Sequence, residues 1–211
     1  MIVCSSSLAQ DLIQIHRIIS KSLLTATVRG AEYLQTGFPS STDLLGYARF
    51  SRCLLAVFSY HEKAEDLVAY PAFRKILPSA PYVQMAAEHR RLEELCSSVP
   101  KILVDLCGPD PEDNLRSLIA LYRKISKLFA SHTKLEEVFF SAKIITPVMD
   151  MHLQGEIRKS LVKYQPEGTG SHFWVAPFLL FDINNEDQVV LAIRSSIWNI
   201  DEFTSRGLNP N

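Results

Sequence analysis

Four histidines in this chain stand at matched distances from three breaker-rich stretches, a register suited to helices folded back on one another. The breakers are Gly37-Phe38-Pro39-Ser40-Ser41, the connection from Tyr70-Pro71 to Pro81, and Cys107-Gly108-Pro109-Asp110-Pro111; Pro147 marks a later change of character. Between them lie long segments almost free of glycine, as helices require. In an antiparallel helical hairpin, residues equally far from the turn share a height, because each residue rises by about 1.5 Å. The point midway between His16 and His61 falls at Phe38 and Pro39; that between His61 and His89 falls on Lys75. The point midway between His89 and His132 falls between Asp110 and Pro111. Each lies inside a breaker stretch, so the four histidines occupy one layer, one from each helix.

Apolar spacing supports the helices themselves. Leu8, Leu12, Ile15, Ile19 and Leu23 follow the three-and-four pattern, as do Leu54, Phe58 and His61, and then Leu121, Ile125, Leu128 and His132. Ser5, Ser6 or Ser7 can cap a first helix reaching about Gln35, and Ser41 or Thr42 a second reaching about Ala69. Pro81 and Pro111 suit the first turns of a third and a fourth. The expected fold is all-α: an antiparallel up-down-up-down four-helix bundle over residues 1–150, with a short C-terminal extension, 151–211, packed on it as part of the same unit. In that extension Asn184 or Asn185 can cap a short helix, and the run His172-Phe173-Trp174 to Phe181 is rich in aromatics.

The four histidines share the apolar stripes: His16 lies four after Leu12, His89 four after Met85, and His132 four after Leu128. A lone histidine on such a face is usually a hydrogen-bonded core residue. Four in one layer need a common partner to offset their desolvation, and a metal supplies it. His61 with Glu65, and His132 with Glu136, are i,i+4 pairs that set an imidazole and a carboxylate on one helical face. Two such turns can supply two bridging carboxylates, which become favourable in a core when they join two cations. Glu62 adjoins His61 and could reach a metal as a terminal ligand. Glu93 and Glu137 stand equally between support for the layer and solvated charge. His152 and His172 fall outside it.

Other classes find little support. The formal net charge of −1 and a pI near 6.6 give no electrostatic case for nucleic acid or an anionic membrane. Apolar runs fall short of the roughly 20 residues that span a bilayer, and Met1–Gln10 has no basic segment followed by an apolar run, so no secretory signal is expected. Cys4, Cys53, Cys96 and Cys107 are scattered without a CxxC pair, which argues against a disulfide framework or a zinc site and for a cytoplasmic setting.

These motifs resemble the hemerythrin-like, or HHE cation-binding, family over roughly residues 8–150. The likeness rests on Ile15-His16-Arg17, His61-Glu62-Lys63-Ala64-Glu65, Tyr70-Pro71-Ala72-Phe73, Glu88-His89 and His132-Thr133-Lys134-Leu135-Glu136-Glu137. The resemblance implies two iron ions bridged by carboxylates and an oxo or hydroxo group and able to meet O2, although a nitrogen and oxygen ligand set also admits manganese or zinc. Oxygen carriers of the family have a third-helix HxxxH, where this chain has Glu93, and an acid five after the last-helix histidine, where this chain has the HxxxE of Glu136. The pattern is similar to the H-HxxxE-H-HxxxE subgroup of sensors, iron-responsive proteins and uncharacterised enzymes. The segment Trp174–Asp182 is similar to extensions on some members; it either covers a bundle end or lines a substrate pocket. The function expected is an O2-activating oxidase or oxygenase acting on a small organic molecule. The alternatives are a non-enzymatic O2 or iron binding or sensing protein, and a metal-free bundle with a polar histidine core.

Overall fold

A computed structural model of the protein describes residues 7–37, 40–106, 108 and 110–164. Cys4, Cys107, His172, the aromatic run to Asp182 and the caps at Asn184 and Asn185 lie outside them. Regular structure among the described residues is helical, with no strand. The elements are α1 (Leu8–Thr36), α2 (Ser41–Ala64), a π-turn (Glu65–Ala69), α3 (Tyr70–Arg74), α4 (Tyr82–Ser97), α5 (Val99–Asp105), α6 (Pro111–Phe139), α7 (Ala142–Ile145) and α8 (Met151–Lys163).

Local chemistry sets the boundaries. Ser7 caps α1 in a reciprocal box: its hydroxyl accepts from the Gln10 amide while the Gln10 side chain accepts from the Ser7 amide. Ser40, one residue before the expected caps, accepts from Asp43 N–H at the head of α2. Pro111 opens α6, where its missing N–H costs nothing. One proline acts differently from expectation. Tyr70-Pro71 does not end the second helical segment, whose dihedrals remain helical at Ala69 and Tyr70. The π-turn, with Tyr70 N–H bonded to Glu65 O, shifts the hydrogen-bond ladder just before a residue that has no N–H to give. Pro100, by contrast, divides the third segment into α4 and α5 at Ser98.

α1 packs against α2 and α6, α4 packs against both α2 and α6, and α5 lies on α6. The core separates into two apolar clusters. One gathers Ile19, Leu23, Leu54, Phe58, Leu92, Ile125 and Phe129; the other gathers Leu8, Tyr70, Tyr82, Met85, Phe140 and Ile157. Along α1 and α4 the chain passes from the second cluster to the first, and the order is reversed from α2 through the π-turn into α3 and from α6 to Phe140. Between the clusters α1, α2, α4 and α6 each place a histidine. α8 closes over the second cluster: Gln154 accepts from the Leu8 amide, Arg158 pairs with Asp11 at 2.7 Å, and Tyr60 O–H donates to Leu161 O. No helix among the described residues is long and apolar enough to cross a membrane.

Candidate metal centre

The polar layer follows from the apolar stripes that flank it. On α2, Leu54 and Phe58 face the first cluster, so the next turns on that stripe carry His61 and Glu65 inward; on α6, Ile125 and Phe129 do the same for His132 and Glu136. His16, His61, Glu65, His89, His132 and Glu136 are all buried, none more than 5% exposed. They form two groups with ligand atoms within 4.8 Å of one another: His16, His61, Glu65 and Glu136, and then Glu65, His89, His132 and Glu136. Glu65 and Glu136 belong to both groups.

Distances within the layer are short but seldom aligned for hydrogen bonds. Glu136 Oε2 lies 3.1 Å from His16 Nε2 and 3.2 Å from His132 Nε2. Glu65 Oε2 lies 3.4 Å from His61 Nε2 and 3.5 Å from His89 Nε2, and its other oxygen 3.9 Å from His16 Nε2. His16 Nε2, His61 Nε2, both Glu65 oxygens and Glu136 Oε2 are buried with no hydrogen-bond partner. Each such orphan costs on the order of 1–3 kcal/mol. Concentrated in one layer, they are groups that could hold a metal ion, and the residues present fit one.

Outside this ring, acids from neighbouring elements meet the far sides of three imidazoles. Glu137 Oε1 lies 3.0 Å from His16 Nδ1, and Glu88 Oε2 3.1 Å from His132 Nδ1. Asp66 Oδ1 lies 3.0 Å from His89 Nδ1, poorly aligned for a hydrogen bond. An acid there holds the proton on Nδ1 and leaves the Nε2 lone pair facing inward, the tautomer a metal needs. Two such lone pairs, His89 Nε2 and His132 Nε2, approach to 2.8 Å. They repel unless a proton or a cation lies between them. Tyr70 stacks on His89 with ring centroids 5.5 Å apart and planes at 10°, and its hydroxyl donates to Glu136 Oε1.

Without a metal, the carboxylates of the layer favour the charged form of two of the imidazoles. Burial disfavours a charged His89, but Asp66 and Glu65 outweigh it and hold its pKa at about 10. His16 is likewise raised, against its burial, by Glu136, Glu137 and Glu65. Glu136, despite complete burial, is held well below the usual carboxylate range by His132 and His16. His61 has no such support: burial drives it down to about 4, so it stays neutral.

The structure thus brings together all four expected histidines with Glu65 and Glu136. Glu62 is buried but belongs to neither donor group; burial pushes its pKa up to about 9 and one of its oxygens has no partner. Glu137 touches His16 from outside, whereas Glu93 is exposed. His152 is exposed on α8. Asp66, Glu88 and the contacts of Tyr70 were not legible as parts of the centre, because each reaches a histidine on another element. Adjacency was the available signal: Asp66 follows Glu65, and Glu88 precedes His89. No family model, curated protein or solved structure matches this chain.

Proposed function

We propose that this chain is a hemerythrin-like protein, an antiparallel up-down-up-down four-helix bundle that holds two iron ions and uses them to bind and activate O2. The observation that carries the reading is the pair of donor groups joined through Glu65 and Glu136. The reversed order of the two apolar clusters along alternate helices supports the bundle topology. His16 and His61 would be terminal donors at one position, His89 and His132 at the other, with Glu65 and Glu136 as the bridging carboxylates. Two iron ions bound there would supply the electrons and the Lewis acidity for O2 chemistry.

The residues around the donors have separable tasks. Glu137 and Glu88 hydrogen-bond Nδ1 of His16 and His132 and so fix the orientation of those rings, while Asp66 stands against His89 Nδ1 as a charge partner. Tyr70 orients Glu136 by hydrogen bonding and His89 by stacking. Phe129, edge-on to His16 and His61, excludes water from the side of the first cluster. A groove of about 400 Å³ lined by Ser20, Thr133, Lys134 and Glu137 opens outside the His16–Glu137 pair. An oxidase or oxygenase would take its small organic substrate in this open depression, beside the acid that meets His16. Anaerobic loading with Fe(II), followed by O2 with candidate substrates, tests this: substrate-dependent O2 uptake is expected, and no turnover with any of them would count against an enzyme.

The burial of all six donors favours a second reading, a non-enzymatic O2 or iron binding or sensing protein. A diatomic molecule reaches such a layer with less opening of the helices than an organic substrate needs. A stable, reversible oxygenated spectrum in the absence of substrate would favour it, and irreversible autoxidation would exclude reversible carriage.

A further inference from the structure

The two cation positions differ in how their imidazoles are held. At the position of His89 and His132, both rings have a carboxylate against Nδ1: Glu88 hydrogen-bonds His132 at 3.1 Å, and Asp66 stands 3.0 Å from His89 as a charge partner. At the position of His16 and His61 only His16 is so backed, by Glu137; among the described residues no carboxylate pairs with His61 Nδ1. Among the supporting acids only Glu88 is well shielded, its side chain 14% exposed; Asp66 at 34% and Glu137 at 38% are similarly open to water.

Preorganisation follows the same division. His89 Nε2 and His132 Nε2 stand 2.8 Å apart, close to the spacing of about 3 Å expected for two donors at right angles with metal–nitrogen bonds of about 2.1 Å. Their ring centroids are 4.4 Å apart, against 5.0 Å for His16 and His61. His89 is further fixed from three directions by one stretch of chain. Glu65 approaches its Nε2 and Asp66 its Nδ1, both from the π-turn, while Tyr70 lies flat on its ring. Few rotamers remain to be lost when this position takes a cation.

We propose that the two positions are unequal and fill in order, His89–His132 first and His16–His61 second, with Asp66 and Glu88 as the positioning residues that set the difference. The inference rests on the two-metal reading above and adds an order of loading to it. Removing an outer partner of a ligating histidine weakens metal binding by roughly 10–100-fold.

Titration of the metal-free full chain with Co(II), followed by calorimetry and visible absorption, tests the order. Two phases are expected. Asp66→Ala and Glu88→Ala should each weaken the tighter phase by about 10–100-fold, and Glu137→Ala the looser one. Should the variants fold poorly, crystals of the unaltered protein with one equivalent of Co(II) give the answer by anomalous scattering, with the ion expected between His89 and His132. An ion beside His16 and His61, two indistinguishable phases, or a tighter phase weakened by Glu137→Ala would overturn the order while leaving two-metal binding intact. No Co(II) binding at all would overturn the two-metal reading and the order with it.

Discussion

His89 and His132 bring two ring nitrogens within 2.8 Å of each other in a core where Glu65 and Glu136 lie equally buried. Such a cluster needs positive charge at its middle, and protons and metal ions compete to provide it. Because the metal-free protein holds protons on His16 and His89, cation binding must release them. Affinity for Co(II) or Fe(II) is therefore expected to rise with pH across roughly pH 6 to 8, measured by calorimetry at each pH. Stability of the metal-free chain should move the other way. His89, raised to about 10, stabilises the fold fully below its ordinary value of 6.5 and loses that contribution as pH rises towards 10; Glu62, kept neutral up to about 9, acts in the same direction. Glu136, held low, contributes above its ordinary 4.5 and loses that contribution on acidification. The thermal midpoint of the metal-free protein should thus fall on both sides of a weakly acidic maximum. His61→Ala and Glu65→Ala should lose metal while His152→Ala keeps it; equal metal content in all three would refute the ligand assignment. The six residues of the buried layer were legible because register and apolar stripe agreed on them. Asp66 and Glu88 were not, since an acid that supports a histidine on another helix leaves no spacing in the sequence.

Elements show where local rules prevailed and where they yielded. The caps at Ser7 and Ser40 and the opening of α6 at Pro111 follow from side-chain chemistry that needs no tertiary partner. Pro71 reads as a stop, yet the helix runs through it, because the π-turn displaces the hydrogen bonds that proline would break and, in doing so, sets Glu65, Asp66 and Tyr70 around His89. Pro100, by contrast, does divide its helix, between α4 and α5. The outcome depends on packing, which a proline alone does not reveal. On α6, Phe129 joins the first cluster to the layer, contacting Phe58, His16 and His61. Phe129→Ala should cost about 3–5 kcal/mol in denaturant unfolding and admit water beside the histidines. A loss below about 1 kcal/mol would mean that the layer does not depend on that wall.

Across the whole molecule, a polar layer is enclosed by two apolar clusters and closed at one end by α8, whose contacts with Asp11, Tyr60 and Leu8 tie it to the bundle. On the two-metal reading, folding and cation binding would be one equilibrium, since the buried His and Glu groups meet only in the folded chain. The helical class and the common height of the histidines were readable from breaker positions. The closure by α8 was legible only as a change of character after Pro147, because its contacts join residues far apart in the chain. The most direct test is elemental analysis of the folded protein purified from iron-supplemented cells, with Glu65→Ala prepared alongside. Two irons per chain, lost in the variant, is the predicted result; a folded chain that carries no metal after iron loading would contradict it.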